Sequence, residues 1–292
     1  MERKFTRVIR ALLLTLRPRQ WIKNLLVLTV PLAAGRLLER SVLQNAAIAF
    51  VAFLFASWFI YLVNDVRDRH EDALHPQKAS RPIAAGLLSV GVAISSAALA
   101  GVLAVAVAAS FGSRELLLTV GAYIVLQLAY QFGLKQVMLI DVSIVAAGFI
   151  LRAVAGGTAT GLPISNWFLT VTASVALFVV ASKRYSEFGN QSGKDITRKV
   201  LAMYSESYLR LLWSASMVSS IVFYSLWAVE IGATSENLYA QFSVIPFSLI
   251  ILEYAHHADG YDAESPEHVV LGDHTIQILA IVWLAVFVGQ VY

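Results

Sequence analysis

Residues 43–72 read LQNAAIAFVAFLFASWFIYLVNDVRDRHED. The stretch 43–64 is an almost unbroken apolar run of the length that crosses a hydrocarbon core, about 20 residues as a helix. The next eight residues place aspartates at 65, 68 and 72. One passage thus sets the fold class, a membrane-spanning helix, and puts a dense acidic cluster at its polar end. If the helix continues past the membrane edge, the spacing i, i+3, i+7 places Asp65, Asp68 and Asp72 on one face, with Asn64 one turn below Asp68. Three like charges on one stripe repel one another, so a cation belongs among them. Carboxylate oxygens with retained waters suit Mg²⁺ bridging to substrate phosphates.

The rest of the chain agrees with a lipid solvent. Of 292 residues, 58% are hydrophobic and 14% charged, and the mean hydropathy is +0.69. The absence of cysteine excludes a disulfide framework, a thiolate metal site and a cysteine nucleophile. The net charge of +3 and pI near 9.1 do not indicate nucleic-acid binding, because the basic residues flank apolar spans instead of forming a soluble basic surface. Apolar stretches recur at roughly 22–38, 43–64, 87–111, 114–133, 137–156, 165–183, 207–230, 243–257 and 274–292, which predicts an all-α polytopic bundle of about nine transmembrane helices in one integral-membrane domain. The first and eighth are the weakest and hold Pro31 and Pro246.

Lys and Arg are distributed asymmetrically. The amino terminus has seven, the 65–86 loop four, and the 183–206 segment five; with Lys135 that places 17 of the 22 on one side. The positive-inside rule makes that side cytoplasmic, with the chain in the plasma membrane and its amino terminus inside. The 258–273 loop, also expected inside, has five acidic residues and no Lys or Arg. The polar segments 65–86 and 183–206 share the cytoplasmic side and are the natural seat of the chemistry.

Further candidates lie on that side. His75-Pro76-Gln-Lys78-Ala-Ser80-Arg81-Pro82 reads as extended or turned, so Lys78 and Arg81 can fold back on the aspartates and hold phosphate oxygens. His70 and His75 show no metal-ligand spacing. Before the first span, Trp21 reads as an interfacial anchor and Arg17 and Arg19 as lipid-headgroup contacts, while Lys23 and Asn24 reach deep enough to meet an anionic ligand. Tyr123, Gln127 and Tyr130 form a line near the end of the fourth span, followed by Lys135. Asp141, inside the fifth span, needs a partner, for which Lys135 is the candidate; Arg152 is expected to snorkel to the outer edge. Lys183 and Glu187 are four residues apart on one helix face, and the Gly189 to Asp195 stretch is suited to a mobile cover.

At these residues the chain resembles the intramembrane prenyltransferase superfamily of the UbiA type. Asn64-Asp65-x-x-Asp68-x-x-x-Asp72, followed by Arg81-Pro82-Ile83 and Gly86, is similar to that family's first Asp-rich motif, and Arg17-Pro18-x-x-Trp21 to the start of its first helix. The resemblance implies a diphosphate bound through Mg²⁺ by Asp65, Asp68 and Asp72 with Asn64. Where aromatic prenyltransferases carry a second Asp-rich motif, this chain has Lys183-Arg184-Tyr185-Ser186-Glu187. That segment, with His75-Pro76-x-Lys78-x-x-Arg81, more closely resembles the decaprenyl-phosphate phosphoribosyltransferase branch. The resemblance to that branch implies transfer of 5-phosphoribose from phosphoribosyl pyrophosphate to a polyprenyl phosphate in cell-wall arabinan precursor synthesis. The candidate substrate-binding residues are Lys23, Asn24, Asn64, Lys78, Arg81, Tyr130, Lys135, Lys183, Arg184, Tyr185 and Glu187. Two other readings stand beside it: prenylation of an aromatic acceptor, against which the missing second motif argues, and a transporter of anionic lipid or phosphate. Transporters place such charges near the midplane in both halves, unlike the one-sided clusters here. A homo-oligomer is compatible with each reading.

Overall fold

The apolar run of residues 43–64 lies within a 28-residue helix, and its small residues decide how that helix packs. The computed structural model describes residues 2–74, 78–190, 199–234 and 238–291. The helices are α1 (Glu2–Thr15), α2 (Thr29–Ala33), α3 (Arg40–Arg67), α4 (Arg69–Leu74), α5 (Val90–Phe111), α6 (Arg114–Phe132), α7 (Ile140–Thr160), α8 (Asn166–Asn190), α9 (Glu206–Thr234), α10 (Tyr239–Asp259), α11 (Pro266–Gly272) and α12 (His274–Val291). No strand occurs among the described residues. Helix α3 buries Ala46, Ala49, Ala52, Phe53 and Ala56, and α5 turns Ala93, Ala97, Ala100, Ala104 and Ala108 inward. Alanines at these spacings let the two backbones approach, which is how helices associate where lipid removes the hydrophobic drive. The Ser89 and Ser113 hydroxyls cap α5 and α6 by accepting the amides of Val92 and Leu116. On the outer faces Leu99, Val102, Leu118, Val125 and Ile281 are exposed, as side chains solvated by lipid tails are.

Among the described residues, seven helices (α3, α5, α6, α7, α8, α9 and α12) are long and apolar enough to span a membrane. Helix α10, at 21 residues, is long enough and contains the buried Pro246, yet is not among those seven. The expected first span at 22–38 is not one α-helix. Residues Pro18–Leu28 wind as a 3₁₀ helix that passes into the short α2. Tertiary packing explains the tightened backbone: Gly156 of α7 lies so close to Val27 that a Cβ there would meet the Val27 carbonyl oxygen. The nine expected hydrophobic segments therefore become seven clear spans, the proline-containing α10 and this broken segment.

The two largest apolar cores share one helix. One joins α3, α5 and α6 around Phe53, Val120 and Tyr123; the other joins α8, α9 and α10 around Phe178, Trp213 and Tyr254. Helix α7 serves both, giving Val142 and Ala146 to the second and Ala155 and Ala159 to the first. The polar side chains collect beside this shared helix.

Candidate active site

The acidic end of α3 does not form one continuous stripe. Helix α3 stops at Arg67, Asp68 takes the cap with φ −88° and ψ 8°, and α4 begins at Arg69. The chain nevertheless stays wound through the bend, because the Asp68 amide donates to the Asn64 carbonyl and the Asp72 amide to the Asp68 carbonyl, both at 2.8 Å. The bend divides the three carboxylates. Asp65 and Asp72 are buried and share one guanidinium: Arg81 Nη1 lies 3.1 Å from Asp65 Oδ1 and 2.7 Å from Asp72 Oδ2. Asp68, partly open, takes Lys135 Nζ at 3.0 Å. Asp65 also accepts from Arg17 Nη2 at 2.5 Å, and that guanidinium lies over the Tyr61 ring at 4.9 Å.

The cations demanded by the acidic spacing are therefore Arg17, Arg81 and Lys135. Arg17 was expected to touch lipid headgroups; instead it reaches the cluster. Its backbone is left-handed, φ 49° and ψ 64°, a conformation that costs a non-glycine residue about 1–3 kcal/mol and persists where surrounding contacts impose it. The donor set suits Mg²⁺: three carboxylates and the Asn64 amide supply oxygen, there is no thiol in the chain, and His70 is exposed. Two of the carboxylates are buried with oxygens held by Arg17 and Arg81, so a divalent ion would take up oxygens that these guanidinium groups now hold.

Asn64 and Arg17 also line a polar cavity of about 230 Å³ between α3, α6, α7 and α8. Arg17, Lys23, Arg152 and Lys183 give it four cationic side chains, Gln20, Gln127 and Gln131 give it amides, and among the described residues no carboxylate lines it. It meets an apolar cavity of about 730 Å³, since Lys23, Phe149, Val179 and Pro266 line both. A multiply anionic head beside an apolar tail is the ligand chemistry that this pair of cavities fits.

Behind the polar cavity, the charges inside the bundle find partners over long sequence separations. Arg152 does not snorkel outward. It is buried, donating to Asn24 Oδ1 (2.8 Å), Ser57 Oγ (3.1 Å), Tyr123 Oη (2.8 Å) and the Gly148 carbonyl (2.7 Å). Asp141 pairs with Arg184 instead of Lys135: Arg184 Nε lies 2.9 Å from Asp141 Oδ2, and the Tyr204 hydroxyl donates to Asp141 Oδ1 at 2.7 Å. Arg184 is fully enclosed, with Glu187 Oε2 at 2.7 Å and the Tyr130 hydroxyl at 3.2 Å. Arg184, Tyr185, Glu187, Tyr130 and Asn24, all expected to touch substrate, stand in the walls; none lines either cavity. For Arg184 the reason is electrostatic, because two carboxylates already hold its guanidinium. Tyr185 is buried, stacked on Tyr261 at 4.9 Å and accepting from Arg210 at 2.6 Å.

Lys183 does reach the polar cavity, donating to the Glu264 carbonyl at 2.8 Å with Glu187 at 3.7 Å. The acidic 258–273 stretch thus closes over the same face as the aspartate cluster. Tyr261 packs so tightly on Gly189 that a Cβ there would strike its ring. On α11, the Glu267 carboxylate lies 3.1 Å from Lys23 Nζ. Burial pushes this carboxyl up, but the charge and hydrogen bond of Lys23, with a backbone hydrogen bond, outweigh it and hold Glu267 below the ordinary range. Lys78 is half-buried, near the Arg81 turn. His75 and Pro76 of the motif, and residues 191–198 with most of the expected cover, lie outside the described residues.

Sequence reasoning missed the roles of Arg17, Asp141, Arg152 and Glu267. The available signal was the requirement that each ionisable group inside a membrane find a partner.

A profile of the UbiA prenyltransferase family matches residues 25–288. The chain is 42% identical over 286 residues to a decaprenyl-phosphate phosphoribosyltransferase of Corynebacterium glutamicum, covering 95% of this chain and 85% of that protein. It is also 42% identical over 302 residues to the protein of the same description from Mycolicibacterium smegmatis, covering 98% and 93%. Among solved structures, a UbiA homologue from Archaeoglobus fulgidus bound to DMAPP and Mg²⁺ superposes with a TM-score of 0.73 at 17% identity over 99% of each chain, a likeness of fold.

Proposed function

The chain belongs to the UbiA prenyltransferase family, and from that premise we propose that it transfers 5-phosphoribose from phosphoribosyl pyrophosphate to a polyprenyl phosphate, decaprenyl phosphate in its relatives, releasing pyrophosphate. The observation that carries this reading is the polar cavity, lined among the described residues by four cationic side chains and no carboxylate, and opening onto an apolar cavity. A prenyl diphosphate brings one anionic group. Phosphoribosyl pyrophosphate brings anionic groups at both ends of the sugar and the lipid acceptor brings another, so four cationic side chains at one cavity, three of them held in place by Asp65, Glu267 and Glu187, fit that larger anionic load better than one diphosphate. The names of the relatives at 42% identity point the same way.

In this reading Asp65, Asp68 and Asp72, with Asn64, would hold Mg²⁺, which would supply charge neutralisation for the leaving pyrophosphate. Arg81 and Lys135, which pair with those carboxylates, would take up diphosphate oxygens, and Lys78, in the turn that holds Arg81, would assist. Lys183 holds a phosphate within the polar cavity, while Arg184, clamped by Asp141 and Glu187, fixes the wall from which Lys183 projects. The bond between the anomeric carbon and the pyrophosphate oxygen breaks as an oxygen of the acceptor phosphate bonds to that carbon, with oxocarbenium character at the sugar. No general base is needed, because the attacking phosphate oxygen is already anionic near neutral pH. Preorganised cations around the cavity stabilise the departing charge. The Asp cluster, Lys135, Lys183 and the 258–273 stretch meet on one face, which we assign to the cytoplasm, where a soluble sugar phosphate donor is accessible.

The test is transfer of label from phosphoribosyl pyrophosphate into organic-extractable lipid by membranes containing the chain. Label should enter lipid only with added polyprenyl phosphate and should disappear on chelation. Unchanged incorporation after chelation would remove the metal assignment, and no incorporation at all would remove the reaction.

A further inference from the structure

Among the described residues, the apolar cavity has only two charged side chains in its lining, Lys23 and Glu267, and they pair with each other at 3.1 Å. Lys23 is also the one Lys or Arg shared by both cavities. Both partners are largely buried, and an ion pair withdrawn from water beside an apolar space gives up much of its Coulombic gain as desolvation. A methionine and a leucine would fill such a position more cheaply. Beside the pair, Pro266 lines both cavities, and the adjacent Glu264 carbonyl takes the Lys183 ammonium. One short stretch of chain, 264–267, thus occupies two lysines, through the Glu264 carbonyl and the Glu267 carboxylate, at the junction where an apolar tail would end and an anionic head begin.

We propose that Lys23 is the residue that receives the phosphate of the polyprenyl phosphate acceptor, and that Glu267 is its internal stand-in, displaced when the lipid phosphate arrives. The inference rests on the acceptor named above and adds the atom that positions it. A lipid whose tail fills the apolar cavity must bring its phosphate to the junction, and Lys23 is the charge there. The donor-side aspartates pair with Arg17, Arg81 and Lys135, whereas Lys23 pairs with Glu267, so Lys23 is the cation available to the acceptor phosphate. The exchange explains why a buried carboxylate faces the junction: it keeps Lys23 charged and aimed while the cavity is empty, and it competes with the lipid phosphate for the same ammonium. A neutral polyprenol would leave the Lys23–Glu267 pair intact and gain nothing from the junction.

The experiment uses the full chain in nanodiscs, with KM measured separately for the two substrates and heat stability measured with polyprenyl phosphate or polyprenol. Lys23→Gln should raise the KM for polyprenyl phosphate by about tenfold or more, the scale of a lost charge-assisted hydrogen bond, with the KM for phosphoribosyl pyrophosphate nearly unchanged. Lys23→Arg should recover part of the loss. Glu267→Gln should act in the opposite direction, lowering the KM for the lipid acceptor and enlarging the heat stabilisation given by polyprenyl phosphate but not by polyprenol. A merely structural ion pair would make both variants weaker, so equal loss in Lys23→Gln and Glu267→Gln would overturn the proposal. So would a Lys23→Gln effect confined to the donor KM. Absence of any product from the wild type would instead overturn the reaction itself, while the stabilisation by polyprenyl phosphate over polyprenol would still report on Lys23.

Discussion

Arg184→Met should act first on stability and only through it on turnover. Arg184 Nε holds Asp141 at 2.9 Å and Nη1 holds Glu187 at 2.7 Å, with the Arg184 and Asp141 side chains 2% and 0% exposed. Removing the guanidinium leaves the Asp141 carboxylate with the Tyr204 hydroxyl as its remaining donor in the described contacts. Breaking one side of a buried pair costs about 3–5 kcal/mol, because the other charge stays behind uncompensated. A phosphate ligand would behave differently, losing about 1.5–3 kcal/mol of donor affinity with folding intact. The assay is thermal unfolding of detergent-purified protein, alongside the KM for phosphoribosyl pyrophosphate. Arg184→Met should lower the midpoint by on the order of 10 °C. Asp141→Asn in the same chain should restore part of it, since replacing both charges removes the stranded carboxylate. A variant with wild-type stability and a donor KM raised tenfold or more would refute the reasoning and return Arg184 to the substrate.

Asp65→Asn, Asp68→Asn and Asp72→Asn should each keep membrane insertion and lose most activity and most Mg²⁺ dependence, since each removes an anionic oxygen at constant size; near-normal turnover of all three in folded protein would remove the metal assignment. Cysteines introduced at the exposed Ser80 and Asp262 of this cysteine-free chain should react with impermeant reagents only from the cytoplasmic side, and labelling of either from outside intact cells would separate the two segments that the site brings together. The Asp273 carboxyl is held below its ordinary range, first by the His257 hydrogen bond at 2.7 Å and next by the Ile276 amide. A depressed folded pKa contributes stability that is present above the unfolded value, about 3.9, and is lost as pH falls through the folded value. Asp273→Asn should therefore lower heat stability at pH 7 and narrow its difference from the wild type in acid, and a constant difference across that range would contradict the assignment.

The spans and the acidic cluster were legible because both are local signals. Runs of apolar residues announce α3, α5 and α12, and three aspartates within eight positions announce a cation site whatever the backbone does between them. The bend at Asp68 and the 3₁₀ winding of Pro18–Leu28 were not legible, since neighbouring elements decide them, as the contact of Val27 with Gly156 does. Arg17 was misread for a related reason: a juxtamembrane arginine satisfies the positive-inside rule equally well whether it faces headgroups or Asp65. Pairs such as Arg152 with Asn24, 128 positions apart, and Arg184 with Asp141, 43 apart, exist only in three dimensions. What the sequence could say of them was that each needed a partner. Glu267 is one of five acidic residues in a stretch without Lys or Arg, and only the packing of α11 over Lys23 sets it apart from the others.

The most direct test offers purified chain, with Mg²⁺, two substrate pairs in parallel: phosphoribosyl pyrophosphate with polyprenyl phosphate, and a prenyl diphosphate with an aromatic acceptor. The account predicts a phosphoribosylated lipid and released pyrophosphate from the first pair and no product from the second. Prenylated aromatic product from the second pair, with none from the first, would contradict it.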